Sequence, residues 1–294
     1  MRSIYLLLIS ILGIGISAHA QKPKEENSLL WEISGKGLAN PSYLFGTYHF
    51  AGKDLIDTMN VVKEKLSKAD AIVGEIVIDE TMAAKLAPFM VMTNNFLDKL
   101  LTPAEYEKVA TYLKKISGYD LKLLNSMKPV AVQLTMMQFT APKTISATNP
   151  AIDQYVQEYA KANNKEVIGL ETIEDQADIL FGSSLERQKE LLLKNVAEEE
   201  KSKIESQKMY NSYKSQNLVE LENFFKNSDD YTPEELDKLL KHRNEKWLAQ
   251  LPKLMKDKSL FIAVGAGHLL GTDGLIKRLK EMGYNVKPLS TSKN

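Results

Sequence analysis

Two stretches of the pattern Gly-x-x-His hold the residues best suited to chemistry: Gly46-Thr47-Tyr48-His49 and Gly265-Ala266-Gly267-His268. Each follows a hydrophobic run, Tyr43-Leu44-Phe45 in the first case and Phe261-Ile262-Ala263-Val264 in the second. Imidazole is a common metal ligand and an acid or base near neutral pH. Parallel sheets gather ligands at the carboxyl ends of their strands, so two such strands would deliver His49 and His268 to one edge. Gly46, Gly265 and Gly267 would allow a positive φ or a close backbone approach there. Glu75 interrupts the apolar run Ala71 to Ile78, and a carboxylate in such a run is costly unless paired, hydrogen-bonded or metal-bound. A strand beside the one carrying His49 would bring Glu75 to that imidazole. Two imidazoles and a carboxylate with one open position match a catalytic divalent site. Such an ion polarises a carbonyl and lowers the pKa of bound water, supplying a nucleophile without serine or cysteine.

Plainer assignments exist for each residue. A histidine after a buried strand can be a hydrogen-bonded structural residue, and Glu75 can face solvent from an edge strand. Glu171, at the end of Glu166-Val167-Ile168-Gly169-Leu170, reads first as a loop carboxylate capping the next helix. Arg243, Asn244 and Trp247 fall within two turns of one helix. That grouping suits recognition of a carboxylate or carbonyl, or a surface helix anchored by Trp247. With a metal in place, Arg243 would hold the oxyanion or the substrate carboxylate.

The elements that must position these groups are legible from periodicity. Leu30 to Ile33 and Ser42 to Phe45 predict a hairpin across the Gly35-Lys36-Gly37 turn. Met59, Val62, Leu66 and Ala69 recur at helical spacing over 57–68, leading to a buried strand over 71–78. From Glu80 to about Leu124 the chain is helical, and Thr102-Pro103-Ala104-Glu105 spells a capping box with proline at the first helical position. Met136 and Met137 suit core filling. Ile152 to Ala162 predicts a helix and 166–171 a strand. A long charged helical region opens at Ser184, and Thr232-Pro233-Glu234-Glu235 repeats the capping box. Ser259 to Val264 is the last buried strand. The helix 275–282 ends at Gly283 as a left-handed cap, and Asn285 to Leu289 is an edge strand. This reads as an α/β protein with a mixed or mainly parallel central sheet in two α/β halves. A helical insert at about 184–255 lies within a single domain over 29–290.

Composition bounds the rest. Lys plus Arg equals Asp plus Glu at 38 each, so no strong field draws in nucleic acid or an anionic membrane. Residues 1–20 have the parts of a signal peptide: Arg2, an apolar run from Ile4 to Ile16 and Ala18-His19-Ala20 as the cleavage site. Cleavage near Ala20 would leave a polar leader over 21–28, no transmembrane anchor, and an exported chain, periplasmic or secreted. Of the four histidines, His49, His242 and His268 would remain. No cysteine is present, which removes disulfides and thiol chemistry. No phosphate-cradling loop, Gly-x-Ser-x-Gly elbow or His-Glu-x-x-His motif occurs.

The sequence resembles the TraB/GumN (TraB/PrgY/GumN) family, whose eukaryotic relatives include the Tiki proteases that clip Wnt proteins. The resemblance rests on Gly46-Thr47-Tyr48-His49, Glu75, Gly169-Leu170-Glu171, Arg243-Asn244 with Trp247, and Val264-Gly265-Ala266-Gly267-His268-Leu269 followed by Gly271 and Gly274. It spans about Trp31 to Leu289. It implies a fold like that of erythromycin esterase and ChaN-type proteins, and a metal-dependent hydrolase, specifically a peptidase acting on a peptide or protein. Manganese, cobalt or zinc would be held by His49, Glu75 and His268. Arg243 would stabilise developing charge, and Tyr48, Asn244 and Glu171 would meet the substrate. Tyr48 stands where an aliphatic residue is usual, and Asp79 follows Glu75 further on than the second acid of many relatives. The alternative of another class is a metal, haem or peptide-binding protein of the same fold without turnover.

Overall fold

In the computed structural model, which describes residues 27–142 and 144–291, six strands form one sheet. They are β1 (Leu30–Ser34), β2 (Ser42–Thr47), β3 (Ala71–Gly74), β4 (Glu166–Gly169), β5 (Leu260–Gly265) and β6 (Asn285–Pro288). Their order is β4-β3-β5-β2-β1-β6. The first four in that order run parallel, while β1 pairs antiparallel with both β2 and β6. Strands from the first and last parts of the chain interleave in this order, so all six belong to one mixed α/β sheet. Residues 1–26, which include the expected signal peptide and most of the polar leader, lie outside the described residues.

The parallel strands sit inside the molecule, and their sequences are apolar for that reason. Every residue of β2 and of β3 is buried, as is β5 up to Val264. Helix Asn60–Lys68 crosses from β2 towards β3 and buries Val62 and Leu66. The chain between β3 and β4 is mostly helical and ends in helix Ile152–Ala162. The chain between β4 and β5 is helical too, ending in helix His242–Met255. Leu44, Phe45, Ile72, Phe261, Tyr213 and Trp247 belong to the sheet core. A second core joins the two long connections, with Val109, Leu113, Val132 and Met136 packed with Leu192.

Both expected capping boxes are formed, Thr102 with Glu105 and Thr232 with Glu235. A third, Thr172 with Asp175, caps helix Ile173–Phe181. Glu171 is therefore not the capping residue. The strand expected over 71–78 stops at Gly74, because beyond it the chain turns out of the sheet and Gln157 bonds the backbone of Ile76 and Ile78. Glu75 thus lies just past a strand end, not within a strand. Gly283 has φ +91° and ends helix Leu275–Glu281, and β6 is the expected edge.

Candidate active site

Strand register brings the candidate residues together. Gly74 pairs with Gly169 and Ala263, and Thr47 pairs with Gly265. The four strands thus end on the same edge within two residues of one another, β3 and β4 opposite Ala263 and β2 opposite Gly265, and Glu75, Glu171, His49 and His268 follow one to three residues later. β5 separates β3 from β2, so Glu75 lies beside His268 and not beside His49 as expected. Its Oε1 accepts the Gly265 N–H at 2.7 Å and lies 3.9 Å from His268 Nε2. The glycines serve by close approach, since φ at Gly265 is −50°. A Cβ at Gly265 would stand 3.2 Å from Glu75 Oε1, one at Gly46 3.1 Å from Ala266 Cα, and one at Gly267 2.9 Å from Phe225.

Arg243 is the hub of the buried half. It sits two residues after a wider π-type turn, Asp237–Lys241, whose Leu239 carbonyl accepts from Nη1 at 3.1 Å. Nη1 also donates to His268 Nε2 at 2.9 Å, and Nη2 to Glu75 Oε2 at 2.6 Å and Glu171 Oε1 at 2.5 Å. Nε donates to both Glu171 oxygens at 3.1 Å. All five N–H groups of the guanidinium are therefore engaged by protein atoms. None is left for an oxyanion or a substrate carboxylate, the role expected from sequence. Gln176 braces both acids, at 3.0 Å from Glu75 and 3.2 Å from Glu171. Trp247 lies against the His268 ring at 4.3 Å and the Arg243 guanidinium at 4.8 Å.

Asn244 fixes the other face of His268. Its Oδ1 accepts from Nδ1–H at 2.8 Å, and its Nδ2 donates to the carbonyls of His268 and Asp273. With Nδ1 donating, Nε2 carries the lone pair that receives Arg243. Burial pushes His268 down to about 3, with Arg243 and His49 opposing its protonation and Glu75 favouring it. Burial alone would raise the Glu75 carboxyl, but the pull of His268, Arg243 and His49 and the Gly265 N–H bring it down to about 2. Because His268 is neutral here, the guanidinium is the charge chiefly responsible.

His49 makes the open half. Its side chain is 68 % exposed and its Nδ1 bonds Asp153 Oδ2 at 3.0 Å. Asp153 Oδ1 in turn accepts from Thr47 Oγ1 at 2.6 Å. The Asp153 charge, then its hydrogen bond, raise His49 to about 9, with burial opposing and the Glu75 charge adding. Among the described residues His49 Nε2 has no hydrogen-bond partner. Asp153 went unnoticed in the sequence. Its signal was an acid in the first turn of a crossover helix, which starts at the edge where the parallel strands end. Tyr48 is half-buried against Tyr213 at 5.3 Å and Tyr210 at 6.4 Å. Burial, against a hydrogen bond to Ser206, raises its phenol to about 12. Tyr213 OH donates to the Gly46 carbonyl at 2.9 Å, tying helix Glu199–Lys214 to the first motif. His242 is exposed. A cleft of about 790 Å³ between helices Leu185–Ala197, Glu199–Lys214 and Leu218–Lys226 includes none of His49, Glu75, Arg243 or His268 in its walls.

The donor types expected for a metal are present, but their arrangement does not fit one. Among the described residues no three His, Asp or Glu groups converge as ligands. The lone pair of His268 and one oxygen of Glu75 already face the guanidinium. A divalent ion about 4 Å from that charge would meet a repulsion on the order of 8 kcal/mol at an effective dielectric of about 20.

The fold and site together define an α/β protein with a histidine–carboxylate–arginine cluster at the carboxyl edge of a mixed sheet. The chain belongs to the TraB/PrgY/gumN family, whose sequence model matches residues 29–288. It is similar to the protein named Metalloprotease TIKI1 of Danio rerio, 22% identical over 89% of this chain and 63% of that one. It is also similar to Metalloprotease TIKI2 of Danio rerio, 21% identical over 90% and 61%, and to Metalloprotease TIKI1 of Xenopus tropicalis, 24% identical over 90% and 62%. The chain thus spans about three fifths of the length of these relatives. Among the described residues no helix is long and apolar enough to cross a membrane.

Proposed function

We propose that this chain is an exported hydrolase that cleaves peptide bonds, with His49 as its acid–base group. The observation that carries the reading is the His49 imidazole, held at Nδ1 by Asp153 with Nε2 open on the exposed side of the strand ends. A base must be oriented by a third group and must keep one nitrogen for the reacting proton. The names of the relatives support a peptide or protein as substrate class. The composition of residues 1–20 supports export to a periplasm or beyond.

In this reading neutral His49 takes a proton from the attacking water at Nε2. The water oxygen bonds the carbonyl carbon, the carbon–nitrogen bond breaks, and the same Nε2–H is returned to the leaving amine. Glu75, Glu171 and His268 hold Arg243 while Asn244 holds His268, so that the charges acting on His49 through space, Glu75 among them, are fixed in place. Because His49 is raised to about 9, the imidazolium prevails at neutral pH and hydrolysis should rise as pH approaches that value. A divalent ion, expected as manganese, cobalt or zinc, enters through the assay and not through any step above.

The test is hydrolysis of a peptide library by chain purified without chelator or affinity metal, assayed with and without each ion, beside His49→Ala. Cleavage by the parent chain and at least a hundredfold loss in the variant, about the scale of general acid–base catalysis, supports the reading. Cleavage that His49→Ala leaves intact, or none under any condition, overturns it.

A further inference from the structure

His268 is prepared as metal-binding histidines are: one ring nitrogen donates to a fixed oxygen, here Asn244 Oδ1 at 2.8 Å, and the other aims its lone pair at a cation. Glu75 and Glu171 add two carboxylates at the same point, and all three side chains are buried. The cation they surround is Arg243. We propose that Arg243 is the resident cation of this half of the site, standing where a divalent ion would stand, so that the chain binds no metal between Glu75 and His268.

Three observations carry the assignment. The guanidinium has a partner for each of its five N–H groups, so leaving would strand both its own donors and the two carboxylates. It is held in place by Trp247 against its face at 4.8 Å. It also offsets one of the two carboxylate charges, leaving the cluster at a net −1 with His268 neutral, whereas a divalent ion added to it would sit against a fixed like charge. Guanidinium cannot shed a proton or exchange ligands. The buried half of the site is therefore a permanent electrostatic fixture, insensitive to metal supply, beside a titrating His49. This goes beyond the hydrolase reading and does not need it, because the occupant can be measured by binding alone.

The experiment is equilibrium dialysis and calorimetric titration of the full chain, freed of metal, with manganese, cobalt or zinc ions. The parent chain is compared with His268→Ala, Glu75→Gln and Arg243→Ala, each checked for fold by circular dichroism. The expected result is that His268→Ala and Glu75→Gln change no metal uptake. Arg243→Ala should gain a single stoichiometric site, with a raised thermal midpoint in the presence of the ion, and adding Glu75→Gln should abolish that gain. Stoichiometric uptake by the parent chain that His268→Ala or Glu75→Gln removes overturns the proposal. So does a folded Arg243→Ala chain that takes up no ion. Should Arg243→Ala fail to fold, the comparison of the parent chain with His268→Ala decides alone.

Discussion

At the scale of single residues, two histidines at the same offset from a glycine have opposite chemistry. His268 is buried, its ring nitrogens are taken by Asn244 and Arg243, and it stays neutral down to about 3. His49 is exposed, bonded to Asp153, and raised to about 9. Asp153 acts through His49, so it is a positioning residue with a measurable signature. In Asp153→Asn the charge that raises the imidazole is gone, and the His49 resonances followed by NMR should titrate lower by roughly one to two pH units, towards an unperturbed histidine. The rise of hydrolysis with pH should move down with it. A His49 titration that stays where it was would show that Asp153 does not set its proton affinity.

At the scale of elements, the site depends on how closely two strand ends and one turn approach. Gly46 lies on β2, and a Cβ there would meet the backbone of Ala266 at 3.1 Å and the Leu269 side chain at the same distance. Ala266 opens the turn that carries His268. Backbone cannot step aside as a flexible side chain can, so Gly46→Ala should destabilise the chain by about 1–3 kcal/mol, the usual cost of overpacking. Urea unfolding should report this as a lower midpoint with an unchanged slope. A midpoint equal to that of the parent chain would mean that the turn has slack the geometry does not suggest.

For the whole molecule, the buried cluster ties stability to pH. His268 has a folded pKa of about 3 against an ordinary 6.5, and Glu75 about 2 against 4.5. Both are depressed, so each contributes stability that is complete above its ordinary value and lost as pH falls through the folded one. His49 has the opposite sign, its contribution present below 6.5 and fading as pH rises through about 9, and its exposure keeps that contribution small. Stability should therefore fall between about pH 6.5 and pH 2, with His268 responsible for the upper part of that window and Glu75 joining below about pH 4.5. His268→Gln has nothing to titrate there and its amide oxygen can still accept from Arg243. Its urea midpoint should decline less than that of the parent chain between about pH 7 and pH 4. An equal decline would assign the acid sensitivity to other groups.

What the sequence by itself determined is what short-range physics writes. Apolar runs leading into glycine marked β2 and β5, a proline marked β6 as an edge, and side-chain-to-backbone capping marked Thr102 and Thr232. The repeated Gly-x-x-His placed both histidines past strand ends, because a strand and the loop after it are neighbours in the chain. What only the tertiary structure decided is which strand lies beside which. The crossover connections insert β5 between β3 and β2, and so Glu75 falls to His268 and Arg243, while His49 takes Asp153 from a helix 104 residues away. No local pattern encodes that choice, since it is set by the packing of the connections across the sheet. The same packing brings Glu75, Glu171, Leu239 and His268 around one guanidinium, and so leaves an exposed imidazole at His49 and a fully bonded, buried guanidinium at Arg243.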